Sequence, residues 1–175
     1  MKKFRLILLV FLTSNIYCET INGHTLPPEP DPTVNNSTLL GIDSNNNGVR
    51  DDVERWIYQN FEQPIKRGIF MQSARAYNIV IVDPSKAKET KKYADNVVSC
   101  SAYWIFIHKP IPFDEYDFYD HKIELRKVQF NNMKRHMAYT RYEGELSGGV
   151  YPALPELKAN CEFDENGILR ALKDK

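Results

Sequence analysis

Twelve residues in the first third of the chain carry oxygen-bearing side chains at a spacing that suits a calcium ion. Residues 43–54 read DSNNNGVRDDVE, which meets the pattern D-x-[DN]-x-[DN]-G-x5-E at every fixed position. Calcium takes about six to eight oxygen ligands, so a tight loop must bring several such groups around one point. The spacing therefore predicts a loop that binds one calcium ion with a structural role.

The predicted ligands occupy loop positions 1, 3, 5, 7, 9 and 12, and they are Asp43, Asn45, Asn47, Val49 through its backbone carbonyl, Asp51 and Glu54. Gly48 at position 6 permits the sharp turn, and Glu54 can close the shell with both oxygens. The alternative is an Asn- and Gly-rich turn in which Asp51 or Asp52 only caps a helix. That alternative explains the polarity of the segment but not its register.

These residues resemble the single calcium loops of known families. The loop is similar to that of an EF-hand. It is closer still to the loops of dockerins and thrombospondin type 3 repeats, and that closer resemblance includes Val49 and then Asp51 after the glycine. The longer strings LPPEP at 26–30 and LGID at 40–43, followed by DDVER at 51–55, resemble an uncharacterised group of small exported bacterial proteins. That resemblance covers residues 26 to about 60 and implies no activity.

Two features depart from a full EF-hand. Residues 38–42 are too few for an entering helix, and position 8 holds Arg50 where paired loops use an aliphatic residue to contact a sister loop. We therefore expect a lone loop followed by a helix, not a sensor pair that opens a groove. Three carboxylates and two neutral amides predict a Kd of about 10⁻⁵ to 10⁻³ M. Calcium at that affinity could fix the preceding segment against the first helix.

The rest of the chain predicts an all-α fold with about four helices in a single domain over residues 39–175. Apolar spacing and helix-breaking residues predict helices at 52–61, 64–82, 85–108 and 114–142, and a short C-terminal helix at 168–173. The sequence KPIP at 109–112 separates the third predicted helix from the fourth. Residues 19–38 predict a polar, Pro-rich extended arm in which no helix or central strand starts.

Residues 1–18 are typical of a secretory signal. Lys2, Lys3 and Arg5 precede an apolar run at 6–12, which is far shorter than the ~20 residues of a membrane span, and no later segment qualifies as one. Cys18 fits a lipid anchor poorly, because Asn15 and Tyr17 stand where a lipobox has Leu and a small residue. We favour cleavage after Cys18 and a periplasmic or secreted product over a lipoprotein or an uncleaved anchor.

Removal of the signal changes the charge and the cysteine count. The signal holds three of the 23 Lys and Arg and none of the 23 Asp and Glu, which leaves a mildly acidic mature chain with a formal net charge of −3. Nucleic acid is therefore not expected as a partner. Two cysteines remain, Cys100 and Cys161, and an oxidising compartment favours a disulfide between them over two buried thiols.

No catalytic residue is assigned, because the chain contains no HExxH, GxSxG or phosphate-binding motif. An acidic cluster could hold a transition metal or simply face water, and its members Asp117, Asp120, His121 and Glu124 share one helical face. The sequence favours a non-enzymatic, exported calcium-binding protein that contacts an unknown envelope or surface protein. The alternative is a periplasmic or secreted hydrolase with a structural calcium, which would require a cleft joining His121 or His136 with carboxylates.

Overall fold

The computed structural model describes residues 18–108 and 115–172 of the 175-residue chain. These residues form one β-hairpin and six α-helices: β1 Glu19–Ile21, β2 His24–Leu26, α1 Pro32–Asn35, α2 Asp51–Asn60, α3 Pro64–Val82, α4 Ala87–Ala102, α5 Glu115–Gln129 and α6 Met133–Leu146. Helical turns of other types occur at Pro84–Lys86, Tyr103–His108 and Lys158–Asn160. The predicted all-α class is confirmed.

Helix α3 lies at the centre of the helical body and contacts α2, α4, α5 and α6. It begins at Pro64, whose fixed φ angle and missing amide hydrogen suit the first turn of a helix. Its buried side chains belong to two clusters, one around Ile69 and Phe70 and a smaller one around Val80 and Ile81. The larger cluster also contains the predicted buried face of α2, which fixes the helix that ends the candidate loop.

The prediction of one long helix over 114–142 is wrong, because α5 and α6 are separate helices. Helix α5 ends at Gln129, and α6 begins at Met133. The side-chain oxygen of Asn132 accepts a hydrogen bond from the amide of Arg135 at 3.1 Å, which is the geometry of a helix N-cap. Asn competes for backbone donors in this way, and the apolar periodicity alone did not reveal the break.

The Pro-rich arm contains regular structure, so the expectation of an arm without a helix is wrong. Asn22 and Gly23, at φ angles of 48° and 80°, form the turn of the β1–β2 hairpin. Leu26 is buried in the main core. Beyond the hairpin, Asp31 caps the single turn α1 by accepting hydrogen bonds from two backbone amides.

The arm lies on α2, and Arg55 is its main anchor. The Arg55 guanidinium donates to the carboxylate of Glu29 at 2.7 Å and to the carbonyl of Pro27 at 2.9 Å, and it also pairs with Glu19. Arg55 is itself buried, whereas the side chains of Glu19 and Glu29 are each 62% exposed. The arm is therefore part of the folded body of the molecule.

The predicted C-terminal helix is wrong over residues 168–172, where the chain instead folds back on itself. Phe163 and Leu169 form an isolated antiparallel bridge across a turn, and Asp164 accepts hydrogen bonds from the amides of Asn166 and Ile168. The predicted Cys100–Cys161 disulfide is confirmed, and it attaches this C-terminal segment to α4. Cys18 is a free, exposed cysteine.

Several sequence predictions concern residues outside the described ranges. They are the signal at 1–17, the interruption at 109–112, the helix start at residue 114 and the last predicted helical residue, Lys173. Within the described ranges, no helix combines the length and the apolar character needed to cross a membrane.

Candidate calcium site

Hydrogen bonds across its base close the loop at 43–54. The amide of Asp51 donates to the carbonyl of Ile42 at 2.8 Å. The carboxylate of Asp51 in turn accepts from the amide of Ser44 at 2.9 Å and from its hydroxyl at 2.6 Å. Asp51 lies in the first turn of α2, so the start of this helix holds the two ends of the loop together.

Asp43 organises the sharp turn inside the loop. One of its carboxylate oxygens accepts from the amide of Gly48 at 2.8 Å, and the other accepts from the amide of Asn47 at 3.1 Å. Gly48 has a φ of +86°, and a Cβ there would lie 2.8 Å from Cδ of Arg75. The loop spacing predicts a sharp turn at Gly48, and in the structure Arg75 also packs closely against this glycine.

Glu54 brings the far end of the motif to the loop. Its side chain projects from α2, is only 3% exposed as a residue, and accepts from the side-chain amides of Asn45 at 2.9 Å and Asn47 at 3.0 Å. One carboxylate oxygen faces each amide. The side chains at predicted ligand positions 3, 5 and 12, which are Asn45, Asn47 and Glu54, therefore lie in contact.

The electrostatics of the loop disfavour a buried negative charge. Burial raises the pKa of Glu54 to about 7, with the charges of Asp51 and Asp43 acting in the same direction against the hydrogen bonds from Asn45 and Asn47. Burial also raises the pKa of Asp51. Among the described residues, no Lys or Arg forms an ion pair with any of these three carboxylates.

The donor set fits a hard cation such as calcium, because every predicted ligand is an oxygen. The amides of Asn45 and Asn47 now turn their nitrogens toward Glu54, and a half-turn of each amide would present oxygen instead. In this arrangement the described residues contain no group of three or more His, Cys, Asp and Glu side chains suited to hold a metal. The carboxylates of Asp43 and Asp51 are engaged by backbone amides instead.

Arg50, the departure at loop position 8, is fully buried and reaches α5. Its guanidinium donates to the carbonyl of Val128 at 2.8 Å and to that of Gln129 at 3.1 Å, and it pairs with Asp52. These carbonyls belong to the last turn of α5, where a helix leaves acceptors unsatisfied and favours a cation. Arg50 thus attaches the loop to a helix end, a role that the sequence analysis missed.

A second buried connection joins the loop to α3 and α5. Asn78 donates to the carbonyl of Gly48 at 2.8 Å, and Gln129 donates to the side-chain oxygen of Asn78 at 2.6 Å. The residues come from positions far apart in the chain, so no local sequence signal could have identified the connection. Together with Arg50, it makes the loop continuous with the helical body.

The acidic cluster on α5 forms ion pairs instead of a metal site. Asp117 Oδ2 lies 2.9 Å from Nζ of Lys66, and Asp117 Oδ1 lies 3.0 Å from Nδ1 of His121. The hydrogen bond from Lys66 is the main reason that the pKa of Asp117 is lowered. Glu124 pairs with Lys127 at 2.6 Å, and Asp120 is exposed. This arrangement agrees with the alternative of a solvated acidic face.

Within the described residues, the other three histidines, His24, His108 and His136, form no ion pair with a carboxylate. His108 stacks on the ring of Tyr103 and lies edge-on to Trp104, and His136 is exposed on α6.

Comparisons with protein-family models, with curated proteins and with solved structures found no match to this chain. Function is therefore inferred from the chemistry of the loop.

Proposed function

We propose that this chain is an exported protein in which the loop at 43–54 binds one structural calcium ion. One observation carries the proposal: the buried carboxylate of Glu54 faces the amides of Asn45 and Asn47, and no basic residue of the described chain pairs with it. A divalent cation would supply the positive charge that the surrounding residues do not.

The ion would be held by the six predicted ligands, Asp43, Asn45, Asn47, Val49, Asp51 and Glu54. Bound calcium supplies only electrostatic neutralisation and fixes the loop. The side chains do the rest: Asp43 holds the turn through two amides, and Asp51 holds the loop base through Ser44. A structural role follows from this arrangement, since every group that faces the loop serves to position the chain.

Fixing the loop would also stiffen the surfaces joined to it. Arg50 attaches the loop to α5, Asn78 attaches it to α3, and Arg55, the residue after Glu54, holds the arm. We infer that the ordered arm and helical body contact another envelope or surface protein. Export is supported by the Cys100–Cys161 disulfide, since such bonds persist in oxidising compartments, and by the signal-like residues 1–18.

The alternative is a periplasmic or secreted hydrolase with a structural calcium. Its best candidate is the contact between Asp117 and His121, but His121 lies against the rings of Phe61 and Phe70. Four cavities in the described part of the chain have no histidine in their linings. The non-enzymatic proposal therefore has more support.

Thermal unfolding of residues 19–175 tests the calcium proposal. The melting temperature is measured in millimolar calcium and in chelator for wild type, Asp43→Ala, Glu54→Gln and the control Glu62→Gln, which changes an exposed glutamate outside the loop. With calcium tenfold above Kd we expect about 1.4 kcal/mol of stabilisation in wild type and in the control, and none in the loop variants.

Equal melting of wild type in calcium and chelator, followed by direct titration without binding, would overturn the calcium proposal. A calcium effect that survives both loop substitutions would place the ion elsewhere in the protein. Hydrolysis of a general ester or peptide substrate that is lost in His121→Ala would favour the alternative.

A further inference from the structure

A cavity separate from the calcium loop lies among α3, α4, α5 and α6. It has a volume of about 100 Å³, and its lining residues are Ser73, Ala76, Tyr77, Val80, Ala94, Val97, Val98, Lys122, Tyr139 and Tyr142. Helix α3 supplies four of these residues and α4 three, while α5 contributes only Lys122. The smaller of the two core clusters lies beside it, through Val80 and Tyr142.

The lining combines apolar groups and aromatic rings with a single charge. Alanine and valine side chains and three tyrosine rings supply most of the surface, and burial raises the pKa of Tyr77 and of Tyr142 to about 12. These hydroxyls therefore stay neutral and can donate hydrogen bonds. Among the described residues that line the cavity, Lys122 is the only charged one and none is a carboxylate.

Lys122 has no partner for its ammonium group among residues 18–108 and 115–172. No hydrogen bond or ion pair to its Nζ occurs there, although the neighbouring Lys127 pairs with Glu124 on the same helix. Burial lowers the pKa of Lys122, and the nearby charge of Arg126 acts in the same direction. Lys122 is half-buried, and a partly desolvated cation without a counter-ion is unfavourable, so an anion entering the cavity would relieve that cost.

We propose that this cavity binds a compact apolar carboxylate, with its anionic group on the Lys122 ammonium and its apolar body among the tyrosine and valine side chains. The volume sets the size of the ligand, because a protein cavity of about 150 Å³ holds benzene. This cavity, at about 100 Å³, is smaller than that, so an apolar body of about four carbons is the upper limit without widening. Charge complementarity selects an anion, since the single charge of the lining is positive.

A purely structural role for Lys122 is the other interpretation: its stem covers apolar surface and its ammonium extends into water. The two interpretations differ in a measurable way. A covering lysine has no preference for a carboxylate over a neutral compound of the same shape. A binding lysine discriminates between them, because only the carboxylate pairs with its charge.

The test is calorimetric titration of the disulfide-bonded chain, residues 19–175, with butyrate and with its neutral analogue butyramide. Lys122→Met removes the charge and keeps the apolar length, and Lys127→Met is the matched control on the exposed side of α5. Ala94→Met narrows the cavity from a half-buried position of its lining without altering the charge.

We expect wild type and Lys127→Met to bind butyrate alike, and Lys122→Met to bind it about tenfold or more weakly. Butyramide should bind wild type and Lys122→Met equally, and Ala94→Met should weaken the binding of both compounds. Equal binding of butyrate to wild type and Lys122→Met would overturn the proposal, as would no binding to wild type up to about 10 mM. Neither result depends on calcium, so this proposal and the calcium proposal can fail separately.

Discussion

The loop at 43–54 and the first half of α5 both collect carboxylates, but they differ in what surrounds them. On α5, Asp117 lies beside Lys66 and His121 on a partly exposed face, and its pKa is lowered. In the loop, Glu54 is buried beside Asp51 and Asp43, and its pKa is raised to about 7. The carboxyl groups of Asp117 and Glu54 therefore have pKa values shifted in opposite directions in the two regions.

A count of acidic residues does not identify a cation site, because their surroundings decide whether a cation is needed. The α5 cluster has its own cations from Lys66 and Lys127, so an added metal ion would have to displace them. The loop has buried carboxylates and amide oxygens but no such cation in the described chain, since Arg50 turns away to α5 and Arg75 pairs with Glu162. An external ion suits the loop for this reason.

Loss of the Arg50 anchor should have the largest effect. Arg50→Met leaves the last carbonyls of α5 without a buried donor and Asp52 without its partner, so we expect a loss of about 4 kcal/mol in the free energy of unfolding. Urea unfolding measures the loss, with Lys127→Met as the exposed control. A loss below about 1 kcal/mol would show that the loop is not attached through this residue.

The calcium-free protein should lose stability as pH rises. The pKa of Glu54 is 4.5 in its unperturbed state and about 7 when folded, so between these values the folded state holds a proton that the unfolded state has released. Stability therefore falls with rising pH, by about 3 kcal/mol for this group. Urea unfolding in chelator at pH 4.5 to 8 measures it, and Glu54→Gln should remove the slope. An unchanged slope in that variant would assign the effect to other groups.

A carboxylate added to the loop should increase the difference in melting temperature between the protein in calcium and the protein in chelator. Asn47→Asp adds a fourth carboxylate to the predicted ligands, next to Glu54 and Asp43, which strengthens calcium binding and weakens the calcium-free protein, each by about 1 kcal/mol. Melting in calcium and in chelator should therefore differ more than in wild type. The isosteric control is Asn160→Asp, outside the loop, which should leave the difference unchanged. A smaller difference for Asn47→Asp would contradict the assignment of position 5.

Neutralising the α5 cluster should have the smallest effect. Asp117→Asn breaks a partly exposed ion pair with Lys66, and solvent screening limits the loss to about 0.5 kcal/mol. The contribution of this pair is present at neutral pH and disappears on acidification, opposite in sign to that of Glu54. Calcium titration should give the same Kd as wild type, and a weaker affinity would mean that the two regions are coupled.

Local signals in the sequence predicted the loop register and most of the helices. The spacing of Asp43, Gly48 and Glu54 predicted the position of the turn and the approach of the Glu54 carboxylate to the loop. Pro64 predicted the first residue of α3. Two missed features also had local signals. Asn22-Gly23 is a hairpin turn signal, and Asn132 is a good N-cap for α6.

Other features depend on contacts between distant parts of the chain. Arg50 needs the end of α5, Arg55 needs the arm, and Lys122 becomes distinctive only where α3, α4 and α6 surround it. No periodicity or spacing encodes these neighbours. The wrong C-terminal helix has the same origin, because the bridge between Phe163 and Leu169 and the Cys100–Cys161 disulfide override a weak helical pattern.

The most direct test of the central claim is calorimetric titration of residues 19–175 with calcium at pH 8 and at pH 6. We expect one ion per chain with a Kd of about 10⁻⁵ to 10⁻³ M at pH 8, and about tenfold weaker binding at pH 6 because Glu54 must first release its proton. Glu54→Gln should abolish binding at both pH values. Absence of binding by wild type at pH 8, or binding that Glu54→Gln leaves intact, would contradict the account.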